Sequence, residues 1–332
     1  MMRAGSGAPW RPAGGRLRLA AATALVAIPL GARADQGGAS FWQSGSYAGY
    51  AAVPPSPGLA LTAQFYTYTG TVGAAIQHGG TLFLGLGTQT RDVSLTPAWT
   101  PAATWLGGVP TLSLQLGGSW NRTQANASLA AVGGGGESIA RSGSTVGGDD
   151  LSPTVQLAWA HGNSNWMAYV TGGLPTGAFQ NSRLANTGLG HSAIDAGGAY
   201  TYANAHSGFE ASATLGATHN GVNSQANYRS GLDTHLDWEV SQALNARVQF
   251  GIVGYVYHQL TADDGSGDRL GSFQSRVSAA GAEVSYAFTA GGQQWTANVR
   301  GYWEFDAVHR TQGHCWFATL NLPLWAPPPA AP

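Results

Sequence analysis

The amino-acid sequence predicts an all-β transmembrane protein: an antiparallel up-and-down β-barrel of about twelve strands in a bacterial outer membrane. Three observations carry that prediction. The first is strict two-residue alternation. Leu232, Thr234, Leu236, Trp238 and Val240 interleave with Asp233, His235, Asp237, Glu239 and Ser241. Trp295, Ala297, Val299, Trp303 and Phe305 interleave in the same way with Thr296, Asn298, Arg300, Glu304 and Asp306. Successive strand side chains point to opposite faces, so each strand has one apolar and one charged face. In a soluble sandwich the charged face meets water; in an outer-membrane barrel the apolar face meets lipid and the charged face lines the lumen. The second observation is composition. Charged residues are only 9% of the chain, against about 25% in soluble domains, and 49 of 332 residues are glycine. The third is the spacing of connections, which alternate long and short as barrel loops and turns do.

The N-terminus sets the compartment. Arg3, Arg11, Arg16 and Arg18 precede an apolar run over residues 19–30, and Ala32-Arg33-Ala34 forms a small-x-small site. This reads as a secretory signal peptide over 1–34, cleaved after Ala34. The run is shorter than the roughly 20 residues of a spanning helix, and no later apolar run is long enough either. Beyond residue 34 lie ten arginines and all sixteen carboxylates, a net charge of −6, with no lysine anywhere. Nucleic acid is a poor partner for such a chain. The lone Cys315 excludes an intramolecular disulfide and reads as a packing residue.

After an N-terminal segment (35–58) rich in proline, which could plug the lumen or lie in the periplasm, the barrel is expected over 59–325. Alternation justifies strands at 59–69 (Leu61, Ala63 and Phe65 against Thr62, Gln64 and Tyr66), 81–99, and 111–123 (Leu112, Leu114, Leu116). Next come 153–160 (Val155, Leu157, Trp159), 165–172 (Trp166, Ala168, Val170), a weaker 197–202, and 208–218 (Phe209, Ala211, Leu215 against Glu210, Ser212, Thr214). The series closes with 232–244, 246–257 (Val248, Phe250, Ile252 against Arg247, Gln249), 275–288, 294–305 and 313–324. Twelve is even, as single-chain bacterial barrels require. The connections 124–152, 173–196, 219–231 and 258–274 are long and rich in Gly, Asn, Ser and Asp. Those between them are short. With both termini periplasmic, the long ones are external. A Pro/Ala tail (326–332) cannot continue a ladder. Trp99, Trp120, Trp159, Trp166, Trp295, Trp303, Trp316 and Trp325 fall near strand ends or on apolar faces, where interfacial girdles form.

The charged faces nominate the lumen-lining residues Asp233, His235, Asp237, Glu239, Arg247, Tyr255, Arg300 and Glu304. A tight turn after Leu244 would bring Arg247 near Asp237 or Glu239. Such a row can filter solutes or simply brace a small barrel from within. Asp263-Asp264-Gly265-Ser266-Gly267-Asp268 has a calcium-loop look but lacks the twelfth-position Glu, so a solvated turn is the simpler reading and no metal or cofactor is expected. His235 and Ser241 both point inward and do not form a triad on the outer wall, so no catalytic residues are assigned. The run 133–136 lacks a following Lys-Ser/Thr and is a loop, not a phosphate cradle.

Several motifs resemble one family. They are Phe41-Trp42 followed by Ala51-Ala52-Val53-Pro54 and Pro57-Gly58; Leu174-Pro175-Thr176-Gly177-Ala178-Phe179; and residues 220–231 ending Tyr228-Arg229-Ser230-Gly231. Gly254-Tyr255 with Gln259, Thr261, Asp264-Gly265 and Gly271 continues the pattern, as do Glu304-Phe305, His309-Arg310 and Gly313. Together they resemble the outer-membrane transporter family encoded in meta-cleavage phenol-degradation pathways. Ala282 after Gly281 and the insert around 133–136 depart from it. The resemblance implies an outer-membrane barrel connected with aromatic compounds and no agreed catalytic set. The expected function is passive passage of small hydrophobic or aromatic molecules; a non-conducting structural or adhesive barrel and an outer-membrane hydrolase are the alternatives. The expected partners are outer-membrane lipid, lipopolysaccharide and a small hydrophobic or aromatic solute, with the protein a monomer.

Overall fold

The structure, a computed structural model, describes residues 40–77, 80–131, 136–266 and 274–327. The expected signal peptide, Asp268 and the end of the tail lie outside these residues. The strands are β1 (Gly58–Gln77), β2 (Gly80–Thr100), β3 (Val109–Ala131), β4 (Gly136–Gly148), β5 (Ser152–His161), β6 (Ser164–Gly173) and β7 (Ala193–Asn204). They continue as β8 (Phe209–Asn220), β9 (Asp233–Ala243), β10 (Val248–Gln259), β11 (Arg276–Ala290), β12 (Gln293–Val308) and β13 (Gln312–Trp325).

All pairings are antiparallel between neighbours, and β1 pairs with both β2 and β13, so the sheet closes into a twelve-strand barrel. Closure removes both sheet edges, the only way a β-structure can satisfy its backbone in lipid. β4 occupies no wall position of its own. β3 pairs with β5 through Val109–Gln115 and with β4 through Gly118–Ala130. Thus β4 and β5 share one position in the wall, interrupted at 149–151. The expected long connection at 124–152 is therefore mostly ladder, as is most of 70–80. Beyond the lipid a ladder needs no apolar face, so hydrophobic alternation does not mark it.

Short turns at 162–163, 205–208, 244–247 and 291–292 share one end of the barrel with Gly58 and Trp325. The opposite end carries 174–192, 221–232, 260–266 and 274–275. In outer-membrane barrels the short-turn end faces the periplasm, and the two ends are named by that rule.

The register assigns the faces. Val299, Ile252, Leu215, Val93 and Phe305 are exposed on the outer wall, while Arg300, Glu239 and Asp237 are buried inside it. Exposed Trp99, Trp166 and Trp325 lie toward the periplasmic end, and Trp303 stacks edge-on with Trp316, centroids 5.5 Å apart, on the outer wall. Val299 sits midway along β12, next to inward Arg300. Val299→Arg is expected to destabilise the barrel by about 2–4 kcal/mol, the cost of arginine on the lipid face near mid-depth. Urea unfolding in liposomes measures it, with Val299→Thr as the mild control.

Candidate functional site: a lumenal segment and its clamp

Residues 40–57 run down the inside of the barrel before entering β1. Phe41 lies against Gly173 at the upper end of β6, whereas Ala52 N donates to Thr201 Oγ1 (3.1 Å) near the lower end of β7. Phe41, Trp42, Tyr47, Ala51 and Ala52 are all buried. A segment with almost no regular structure must satisfy its backbone elsewhere, and here the inward face of the wall supplies the partners.

Two side chains grip one turn of the segment from opposite sides. Asp237 accepts from Gly45 N (2.9 Å) and Tyr47 N (3.2 Å). Arg300 donates from Nε to Gly45 O (3.1 Å) and from Nη2 to Ser46 O (2.9 Å). Tyr302 OH is the second donor to Gly45 O, at 3.0 Å. Gly45 has φ +82°, and an added Cβ would lie 2.9 Å from the Tyr302 ring. Both conformation and space therefore call for glycine at this turn. Lower down, Gly49 N donates to Glu239 Oε2 and Tyr50 N to Glu210 Oε1 (3.0 Å). Tyr50 OH donates to Gln249 Oε1 at 3.0 Å. Burial, then the nearby Glu210 carboxylate, push the Tyr50 phenol up to about 12, so it stays a neutral donor.

Trp42 is held by stacking. Its ring lies 3.6 Å from the His235 ring at 12°, with Tyr47 at 5.5 Å and Tyr169 at 5.7 Å. The wall side of this group is fastened by Asp195, which accepts Tyr169 OH (2.7 Å) and Thr218 Oγ1 (2.6 Å) and lies 3.1 Å from His235 Nε2. Gly216 leaves the room: a Cβ there would lie 2.2 Å from Tyr169 OH and 2.5 Å from His235 Nε2.

Next to this clamp, Tyr66, Tyr68, Tyr255, Tyr257, Tyr302 and Phe317 form a buried cluster. Glu304 accepts Tyr255 OH (2.7 Å) and Tyr68 OH (2.8 Å), and Asp233 accepts Tyr257 OH (2.7 Å). Arg310 lies over the Tyr257 ring at 4.3 Å. At the periplasmic end a cavity of about 80 Å3 remains beside Pro55–Pro57, walled by Thr62, Thr100, Thr111, Thr296 and Asn321.

The structure thus places Asp233, His235, Asp237, Glu239, Tyr255, Arg300 and Glu304 on the inner wall. Arg247 differs from expectation. It lies exposed in the turn after β9, where Asn245 Oδ1 accepts its backbone N–H (2.8 Å); the turn ends the strand before Arg247 can reach inward. Asp306 also leaves the inner row. A register shift between Arg276 and Ser278 turns it toward exposed Arg276, 3.2 Å away. Asp195, Glu210, Trp42 and the buried Glu283, register partner of Arg300 on β11, belong to the site but were not nominated. The alternation of β8 already put Glu210 on the polar face. Asp195 and Glu283 sit among Ala and Gly, where alternation carries little contrast. In the external loops, Asp263 accepts Gln259 Nε2 (2.6 Å) and exposed Asp264 pairs with Arg229 (3.2 Å). Both therefore fasten loops, and no group of side chains among the described residues forms a metal site. Between β4 and β5, Asp150 accepts Gly177 N (2.6 Å) and Leu189 N (2.9 Å), tying the 174–192 loop to the wall. Burial raises its carboxyl above the usual range.

The profile of the family described as MetA-pathway of phenol degradation matches residues 41–316. The chain belongs to this family. The match begins at Phe41, so the lumenal segment is part of the pattern that defines the phenol-degradation MetA-pathway family, not an appendage to it. No curated protein matches the chain. Among solved structures, an outer membrane channel from Pseudomonas putida F1 superposes with a TM-score of 0.57 at 13% identity, over 80% of this chain and 95% of that one. That likeness shows the fold. The transport unit of the autotransporter AIDA-I from Escherichia coli gives a TM-score of 0.41 at 12% identity, over 80% and 89% of the two chains. A Pseudomonas aeruginosa FadL homologue gives 0.39 at 9% identity, over 92% and 98%.

Proposed function

We propose that the protein is a monomeric outer-membrane channel, closed at rest by residues 40–57, that passes small hydrophobic or aromatic molecules by passive diffusion. One observation carries this reading. The segment fills the lumen yet is held through its backbone by polar side chains, and it is covalently tied to the wall only at Gly58. A brace whose only task was rigidity would be better packed with apolar side chains, because buried charges contribute little net stability. A clamp of hydrogen bonds on a tethered strap can instead release as a unit. The adjoining tyrosine cluster offers ring faces and phenol hydroxyls along the way, which suits aromatic solutes, and membership of a phenol-degradation family points to the same chemistry. The exposed apolar outer wall is the surface that lipid would cover.

A filled lumen also favours a second reading, a non-conducting barrel. Planar-bilayer recordings separate the two. Wild-type protein is expected to show small or rare conductance steps, and a variant lacking residues 40–52 is expected to conduct several-fold more. Absence of steps in both proteins, each shown folded by heat-modifiable gel migration, would leave the non-conducting barrel standing.

A further inference from the structure

The place filled by the Trp42 indole has the make-up of an aromatic-ligand site. We infer that Trp42 occupies a solute-binding site on the inner wall as a built-in stand-in, and that a neutral planar aromatic of one or two fused rings, bearing a hydroxyl or N–H at its edge, takes that place when the segment leaves. The inference rests on the channel reading and names the class of solute and where it first binds.

Three observations support it. The first is geometry. Trp42 is the segment residue in closest ring contact with the wall, 3.6 Å from His235 and nearly parallel to it, and it is buried to 1% exposure. Face-to-face contact at this separation recognises a flat ring rather than a generic apolar group. The second is preorganisation. His235 and Tyr169 are both anchored to Asp195, and Asp195 in turn to Thr218. None of these four belongs to the segment, so the wall half of the site keeps its shape when Trp42 is withdrawn. Preorganisation of this kind lowers the cost of binding a replacement. The third is unused hydrogen-bonding capacity. Gln156 Oε1 is buried and makes no hydrogen bond, although Gln156 Nε2 donates at 2.8 Å to the OH of Tyr47, the ring stacked on Trp42. Buried polar atoms ordinarily have partners; a hydroxyl or N–H at the edge of an entering ring can supply one.

Solute and Trp42 would then compete for one site, so that binding from outside displaces the segment. The test uses the full barrel folded in detergent, with indole as the probe, and Trp42→Ala to vacate the site. Isothermal titration should show one indole per Trp42→Ala barrel, bound at least tenfold more tightly than by wild type. His235→Ala added to that variant should abolish the gain. Heat-modifiable migration confirms folding, and Trp42→Val serves the same comparison if Trp42→Ala does not fold. Equal indole binding by wild type and variant would overturn the inference. So would equal binding of a saturated analogue such as cyclohexanol, which would mark a plain apolar void. Passage is read separately by conductance. Channels that open normally but gain no indole binding on vacating the site would sink this inference alone. Indole binding with no conductance in any variant would sink the channel reading while leaving the site in place.

Discussion

Asp237→Ala should open the barrel. The carboxylate is buried and accepts two backbone N–H groups of the segment, Gly45 at 2.9 Å and Tyr47 at 3.2 Å. Hydrogen bonds to charged groups contribute roughly 1.5–3 kcal/mol each, and a buried donor left without a partner adds its own cost. Losing both should therefore disfavour the seated segment by about 3–6 kcal/mol. Each 1.4 kcal/mol is about a factor of ten in an equilibrium, so the closed-to-open ratio should fall by more than a hundredfold. Single-channel recordings should then show Asp237→Ala approaching the variant that lacks residues 40–52. Asp237→Asn should lie between, since an amide keeps one acceptor but turns an N–H₂ toward the other donor. Conductance of Asp237→Ala indistinguishable from wild type would show that this carboxylate does not hold the segment.

Arg300→Ala should do two things at once. Arg300 donates to Gly45 O, Ser46 O and Asn298 Oδ1, and its guanidinium lies 4.4 Å from the Phe317 ring centroid. It is also paired in register with Glu283 on β11, and Asp237 grips the same turn of the segment. Removing one partner from a buried charged network costs about 3–5 kcal/mol, because the remaining charges lose their compensation. The barrel should therefore unfold at a lower temperature on heat-modifiable gels, and the segment should release as well. Arg300→Lys should recover more of the thermal shift than of the closure. Lysine restores the charge but not the fork that reaches two successive carbonyls. An Arg300→Ala barrel with wild-type heat stability would refute the role given to its charge. The Asp237 and Arg300 effects should also be strongly non-additive, since both grip one turn.

Much of this site was legible along the chain. From Leu232 to Val240 every second residue but Thr234 is apolar, and the residues between them are those found inside. Tyr255, Arg300 and Glu304 followed from the same period. The departures share a cause. Arg247 and Asp306 have the right parity but sit where the strand is broken, by a turn in one case and a register shift in the other. β4 escaped notice because its ladder stands beyond the lipid, where no apolar face is required. Residues 40–57 have no period at all, so the sequence left a lumenal plug and a periplasmic segment equally open.

Sequence by itself determined the class of fold and the two faces of its strands. A strand with lipid on one side and a polar lumen on the other must alternate, and that requirement is written residue by residue. Only the tertiary structure decided which inward groups act together. Asp237 meets Gly45 across 192 positions of sequence, and Arg300 meets it across 255. Closure of the barrel creates those contacts, and no local pattern records them. The same closure puts Trp42 against His235, and so decides that the charged row of β9 and β12 holds a strap rather than lining an empty bore.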